Sequence, residues 1–503
     1  MTRFILSHRR APGAGARGLA SGRRALSSAL DRLRSNVEVL RQSASVDGTT
    51  PRRVMIETDS DHATEIARAY ASEVIVEPEI LHFPVPGVRG LTAPIDFTRI
   101  SMRGVQPETA GGDGVLGATL LGGGVPLANA EALLYVRGSD QLERVFETRS
   151  DADGAVRFAY PTFFRPSVLV VVPAGGFWGL SVRGPRDGLV VDCPPLPADG
   201  PGAWWHEALG VQRHSKTRGR GIRVGVIDTG TGPNACLDHV GDVGSFVEGL
   251  FDPDGGADSA AHGSHVAGII GARPVADGQY AGIAPGANLF AARVFPPEGG
   301  ANQMDIADAL DRLSEGDSVD LVNLSLGAPV GSAIEQDAIR DALDRGTLCV
   351  CAAGNSAGPV SYPAAFPETV AVAALGSEGR EPAGTPSAGR LPAEPGLFGA
   401  NGLYLANFSC FGPQITCAAP GVGIVSTVPA TEGDDAPYAA FDGTSMASPL
   451  ACGALAAILS VSSAYKALPR DATRAAFARR LLRERCTSIG LLPIHEGQGV
   501  PLV

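Results

Sequence analysis

The sequence predicts an α/β protein: a doubly wound parallel sheet in the C-terminal half, preceded by a small α+β unit and a small antiparallel β-sandwich. Three observations predict it. From about residue 203, apolar β-branched runs alternate with helical stretches rich in small residues. Residues 114–194 carry short alternating runs split by Gly, Pro and Asp turns. Residues 53–85 read strand, helix, strand. At 503 residues, 44% hydrophobic and 19% charged, the chain has core-forming material for several domains. They are expected at 1–50 (a basic arm with an amphipathic helix), 51–100 (the α+β unit), 114–195 (the sandwich) and 203–500 (the parallel sheet).

The first fifty residues hold nine Arg against Asp31, Glu38 and Asp47, while the whole chain carries a formal charge of -12. That overall sign excludes a general nucleic-acid binder, which needs a basic face. Leu26, Leu30, Leu33, Val37 and Leu40 recur four and three apart, the stripe of one amphipathic helix. Phe4-Ile5-Leu6 is too short for the apolar core of a Sec signal peptide, and His8-Arg9-Arg10 interrupts it. A solvated basic arm and an Arg- and Ser-rich transit segment both remain open. No apolar run is long enough to span a bilayer. The eight cysteines form no CxxC pair, so a zinc site has no support. Only Cys410 and Cys417, flanking a Gly-Pro turn, suggest a disulfide. Together these features favour a cytoplasmic location, with organellar import or non-Sec export as alternatives.

In the next unit, Arg53 to Thr58 is strand-like and Asp59-Ser60-Asp61 supplies capping side chains for a helix over Ala63–Ala71. A strand at Glu73–Val76 follows and stops before Pro78. Sandwich strands are expected at Ala132–Tyr135, Ala155–Ala159, Ser167–Val172 and Leu189–Val191, with Asp151-Ala152-Asp153-Gly154 as a hairpin turn. This stretch resembles prealbumin-like or carboxypeptidase-regulatory sandwich modules in pattern alone.

The C-terminal half is expected to place strands at Ile222–Ile227, Asn288–Val294, Val319–Ser325, Thr347–Ala353 and Val370–Ala374. Helices are expected at His262–Gly271, Gln303–Leu313, Ile334–Asp344 and Ser445–Leu459. Such sheets carry their sites beyond the strand C-termini. Three segments bring the residue types of acyl transfer to strand ends or helix starts. Val224-Gly225-Val226-Ile227-Asp228-Thr229-Gly230 ends an apolar strand in an acid. His262-Gly263-Ser264-His265-Val266-Ala267-Gly268 opens a helix, whose positive end disfavours imidazolium and keeps a neutral base. The spacing of His262 and His265 is not that of a zinc H-E-x-x-H pair, and His265 reads as an interior histidine. Gly443-Thr444-Ser445-Met446-Ala447-Ser448-Pro449 sets a serine among unpaired helix N–H groups, and a serine needs a base to become a nucleophile.

In the order Asp, His, Ser these segments resemble the subtilisin family (subtilases, peptidase family S8) over roughly residues 203–500. The resemblance implies serine endopeptidase activity, with Asp228 orienting His262, His262 acting as general base and Ser445 as nucleophile. It also implies that Asn355, ending Cys351-Ala352-Ala353-Gly354-Asn355, donates to the oxyanion. Substrate backbone is expected along Ser325, Leu326 and Gly327 and near Gly299 and Gly300. The resemblance also implies a pocket for the residue before the scissile bond between Ser325–Gly327 and Ala352, Ala353 and Gly354, with Ser361 expected to narrow its floor. Residues 376–402 are a Pro- and Gly-rich insertion ahead of a strand near Phe408. Residues 53–85 weakly resemble the family's inhibitory propeptides, although a sandwich stands between them and the catalytic part. The expected partner is a polypeptide substrate, with no nucleic acid and no membrane span. No cofactor or metal is required; structural calcium is common in the family, and no ligand loop for it stands out. A peptide-binding pseudo-protease and a peptide-processing transpeptidase are the alternatives.

Overall fold

A computed structural model describes residues 2–10, 26, 37–43, 52–84, 112–139, 143–198, 202–431, 433–434 and 437–503. The first sheet has the order β2-β3-β1-β4, built from β1 (Thr2–His8), β2 (Glu38–Gln42), β3 (Arg53–Thr58) and β4 (Val74–Pro78). Helix α1 (Ser60–Ala69) follows β3, its N-terminus capped by the Asp59 carboxylate accepting from His62 N–H at 2.8 Å. Two expectations are corrected here. Residues 2–8 are an inner strand between β3 and β4, with Ile5 and Leu6 fully buried, rather than part of a solvated arm. Of the helix expected over 26–40, Leu26 is helical and buried, residues 27–36 lie outside the described residues, and from Glu38 the chain is a strand instead, because β3 offers an edge to pair with. The 1–50 and 51–100 segments therefore share one sheet. Its last neighbour in the chain, β5 (Leu81–Pro84), pairs elsewhere.

Residues 114–193 form two four-stranded sheets around a common core of Leu116, Leu120, Leu134, Phe146, Leu169 and their neighbours. One holds β6 (Gly114–Gly122) and β7 (Val125–Pro126); the other holds β8 (Glu131–Arg137) and β9 (Glu143–Arg149). The chain then returns through β10 (Ala155–Tyr160) to the first, β11 (Arg165–Val172) and β12 (Leu180–Arg183) to the second, and β13 (Leu189–Cys193) to the first. The Asp151–Gly154 turn thus passes between sheets instead of closing a hairpin, and β13 pairs β6 in parallel.

The C-terminal half is an α/β fold on a mostly parallel sheet of order β16-β15-β17-β14-β19-β21-β22-β23. Its strands are β14 (Arg223–Asp228), β15 (Gly241–Val247), β16 (Leu250–Asp252), β17 (Asn288–Arg293), β19 (Leu321–Leu324), β21 (Leu348–Ala352), β22 (Val370–Ser377) and β23 (Leu403–Leu405), with β24 (Ile415–Pro420) also on β22. Two short strands, β18 (Ala301–Asn302) and β20 (Leu326–Gly327), stand apart from it. The helices are α2 (Trp204–Ala208), α3 (His262–Gly271), α4 (Gln303–Asp311), α5 (Ala333–Asp344), α6 (Thr444–Val461) and α7 (Ala472–Arg485). The central strands read as unbroken apolar runs because both faces are covered. Helix α6 is long and apolar enough to cross a membrane, yet 89% of it is buried inside the fold, so it is a core helix. The strand expected near Phe408 lies earlier, at β23, which runs antiparallel to β22. All eight cysteines are free thiols, so Cys410 and Cys417 are not bridged.

The first sheet docks on α4 and α5 through charge. Arg53 reaches Asp308 at 2.5 Å and Asp311 at 2.9 Å, and Arg52 reaches Asp311 at 2.6 Å. Both arginines are only 3% exposed. Burial opposes ionisation of Asp311, but Arg52 and Arg53 hold its carboxyl well below the usual carboxylate range. Burial also lowers the His8 imidazole to about 4, with Arg53 adding to the effect. Arg10 extends the contact to Asp341 at 2.8 Å, and Glu77 accepts from Ser332 Oγ at 2.7 Å and Ala333 N–H at 2.6 Å at the start of α5. Removing one member of such a buried network strands the rest. The substitution Arg53→Met is expected to destabilise docking of the first sheet by about 3–5 kcal/mol. Hydrogen exchange in the full chain checks it: amides of β1, β3 and β4 lose protection while those of β14 and β21 keep theirs.

Candidate active site

Asp228 is the last residue of β14 and His262 the first of α3, so sheet and helix deliver a carboxylate and an imidazole to one point. His262 Nδ1 lies 2.7 Å from Asp228 Oδ1, which also accepts the Thr229 N–H at 2.7 Å. Asp228 is 1% exposed and His262 7%. The acceptor fixes Nδ1 as the protonated nitrogen and leaves Nε2 as the basic one.

The approach of these elements is stapled by residues that the sequence reading did not single out. Thr229 Oγ1 donates to Asp258 Oδ1 at 2.7 Å and accepts from Gly263 N–H at 2.8 Å. Asp258 Oδ2 accepts from Ser264 N–H at 2.9 Å. Asp258 thus holds the first turn of α3 at its positive end. Asp258 lies three residues ahead of the N-cap position, Ala261, so no local capping pattern marks it in the sequence. The backbones come so close that a Cβ on Gly263 would meet the Gly230 carbonyl oxygen at 2.1 Å, which explains glycine there.

Ser445 lies in the first turn of α6 and is fully buried. Its hydroxyl donates to the Ser325 carbonyl at 3.2 Å, and the Ser325 hydroxyl donates to the Ser445 carbonyl at 2.9 Å. Asn355 follows β21 across the same space. Its Oδ1 accepts from both the N–H and the hydroxyl of Thr444 at 2.9 Å, which fixes the plane of the amide. Gly354 N–H donates to Thr444 Oγ1 at 3.0 Å. Thr444 is therefore the residue that orients Asn355, a role hidden behind the more conspicuous Ser445. Gly354 has φ +113°, and a Cβ there would meet Ser361 Oγ at 2.5 Å, placing Ser361 against the Ala352–Gly354 segment.

His265, one turn along α3, is fully enclosed. Its Nε2 faces the carbonyls of Ile424 and Ala439 at 3.1 and 3.0 Å, and its ring stacks on Phe441 at 4.3 Å. Burial pushes its pKa down to about 3. Such an imidazole is a neutral donor between strands β25 (Ile424–Thr427) and β26 (Tyr438–Phe441). Among the described residues no group of three or more His, Cys, Asp or Glu side chains is set to hold a metal ion.

The segments expected to bind substrate backbone are already paired. Strand β5 runs antiparallel to both β18 and β20, with Ala301 opposite His82 and Leu326 opposite Pro84. Gly300 passes so close that a Cβ would meet the His82 carbonyl oxygen at 2.6 Å. The insertion at 376–402 contacts both the sandwich and the segment that leads into α6. Ser181 N–H of β12 donates to the Gly384 carbonyl at 3.0 Å, and buried Arg390 pairs Asp442 at 3.0 Å.

Residues 219–484 match the model of the subtilase family. Subtilisin Savinase of Lederbergia lenta is 34% identical over 241 residues, 48% of this chain and 77% of that protein. The alkaline protease of Alkalihalobacillus alcalophilus is 34% identical over 48% of this chain and 54% of its own length. Subtilisin NAT of Bacillus subtilis subsp. natto is 33% identical over 48% of this chain and 56% of its own length. The chain spans about half the length of these last two relatives. The relatives correct one expectation: they are secreted proteases, which points to export rather than to the cytoplasm.

Replacing Asn355 by Ala is expected to lower kcat by roughly 10²–10³ with little change in KM, a range taken from a subtilisin. Thr444→Val should lower kcat in the same direction by a smaller factor. Steady-state hydrolysis of a chromogenic peptide checks both.

Proposed function

This chain belongs to the subtilase family, whose members are serine endopeptidases, and we propose that Asp228, His262, Ser445 and Asn355 perform that chemistry on polypeptide substrates. The observation that carries the reading is the 2.7 Å contact between the buried Asp228 carboxylate and His262, on a helix that packs against α6, whose first turn holds Ser445. His262 Nε2 takes the Ser445 proton as Oγ attacks the substrate carbonyl. The developing imidazolium is stabilised by Asp228, which keeps its own charge. The tetrahedral oxyanion accepts from the Asn355 amide and the Ser445 backbone N–H. His262 then returns the proton to the leaving amine, and an ester on Ser445 remains. Water, deprotonated by the same imidazole, attacks that ester and releases Ser445.

The N-terminal sheet fits the reading of an intramolecular inhibitor. Its β5 occupies the edge that an extended peptide would take, adding a strand between β18 and β20. The Arg52, Arg53 and Glu77 contacts to α4 and α5 would hold it there. Release of such an inhibitor by self-cleavage then requires the same Ser445.

A small fluorophosphonate is expected to label the wild-type chain at one serine and to leave Ser445→Ala unlabelled. Loss of the triad should cost on the order of 10⁶ in turnover, the magnitude known from a subtilisin. For self-processing, intact-mass analysis should show cleavage between residues 85 and 215 in wild type and none in Ser445→Ala. An uncut wild-type chain would end the processing reading.

A further inference from the structure

One side chain of β5 is enclosed by the catalytic half in a way that specifies a chemistry. His82 and Glu335 are both fully buried, and His82 Nε2 lies 3.2 Å from Glu335 Oε2. Glu335 stands in the first turn of α5, where its backbone N–H donates to Ser332 Oγ at 3.1 Å. Among the described residues, Glu335 Oε1 and His82 Nδ1 have no hydrogen-bond partner. The contact with His82 is thus the pairing that the Glu335 carboxylate has in the interior. A buried carboxylate is costly unless a cation or strong donors face it.

The strand register says where this contact falls along a peptide. Gly327 is opposite Phe83 and Leu326 opposite Pro84. A peptide in that register sets its next residue against Ser325, whose carbonyl accepts the Ser445 hydroxyl. With that next residue as P1, the one whose carbonyl is attacked, the position of His82 is P4. Side chains alternate along an extended strand, and the exposure of β5 follows this: Leu81 is 41% exposed and His82 wholly buried.

We propose that Glu335 is a specificity-determining residue, and that the cleft selects polypeptides with a cationic side chain (Arg, Lys or protonated His) at P4. The inference rests on the reading of β5 as a stand-in for substrate. An apolar P4 side chain would displace His82 and leave the carboxylate buried and unpaired, whereas a guanidinium, with five donors, would satisfy both oxygens. The same contact would hold β5 itself.

The test is a peptide set identical except for Arg, Lys, His, Gln or Leu at P4. It is cleaved by full-length wild type, Glu335→Gln and Glu335→Leu, with active enzyme counted by fluorophosphonate labelling. In wild type, kcat/KM for Arg should exceed that for Leu by at least about tenfold, since truncating one partner of a buried charge pair costs that much or more. The ratio should fall towards one in Glu335→Gln and invert in Glu335→Leu. A wild type indifferent at P4 or preferring Leu overturns the inference, as does an Arg preference that survives in Glu335→Leu. Labelling separates the two levels. Labelled enzyme with no P4 preference overturns this inference alone, and wild type that cannot be labelled overturns the catalytic reading with it.

Discussion

A carboxylate at the end of β14 and an imidazole at the start of α3 share one hydrogen bond of 2.7 Å, and much of the surrounding structure serves to keep it. Two rigid elements must arrive at this point in a single relative position. Asp258 and Thr229 tie the turn after the strand to the first turn of the helix, and glycine at 263 lets the two backbones close on each other. On the far side, α6 brings Ser445, and Thr444 fixes the amide of Asn355. These side chains are held in their orientations before substrate arrives. This is the preorganisation from which such sites draw most of their rate.

A second constraint is charge complementarity between the N-terminal sheet and the helices that flank the cleft. Arginines at 10, 52 and 53 face aspartates on α4 and α5, and the pairs are largely buried. Two sheets of another kind lie between these residues and the catalytic half in the chain, yet β1–β4 dock directly on it. Buried ion pairs add little net stability over apolar packing but heavily penalise a wrong partner or register. A sheet held in this way places β5 in one register along β18 and β20, and the His82–Glu335 contact depends on that register.

Local signals carried the catalytic half. The bounds of α3 match the expectation, and β14, β17 and β21 lie within a residue or two of theirs, because each is a continuous apolar run closed by a polar or glycine residue. Asp228, His262 and Ser445 stand out because each sits in a dense motif at an element's end. What the sequence concealed depends on partners far along the chain. Phe4-Ile5-Leu6 is too short to read as a strand until β3 and β4 flank it. The stripe from Leu26 to Leu40 has helical spacing, and Leu26 is helical, but from Glu38 pairing with β3 overrides it. His82 and Glu335 are 253 positions apart, and neither has a local signature. Thr444 was legible only in part, as a polar residue beside a helix start whose hydrogen-bond partners lie on another segment, and Asp258 has no local mark.

The most direct measurement is the second-order rate of fluorophosphonate labelling of Ser445 in wild type and in Asp228→Asn, at neutral pH and with folding checked by circular dichroism. If the carboxylate sets the tautomer of His262, the amide should present the wrong nitrogen to Ser445 and slow labelling by up to about 10⁴-fold, the factor by which the equivalent change lowers kcat in another serine protease. A folded Asp228→Asn chain that labels at the wild-type rate would contradict the account at its centre.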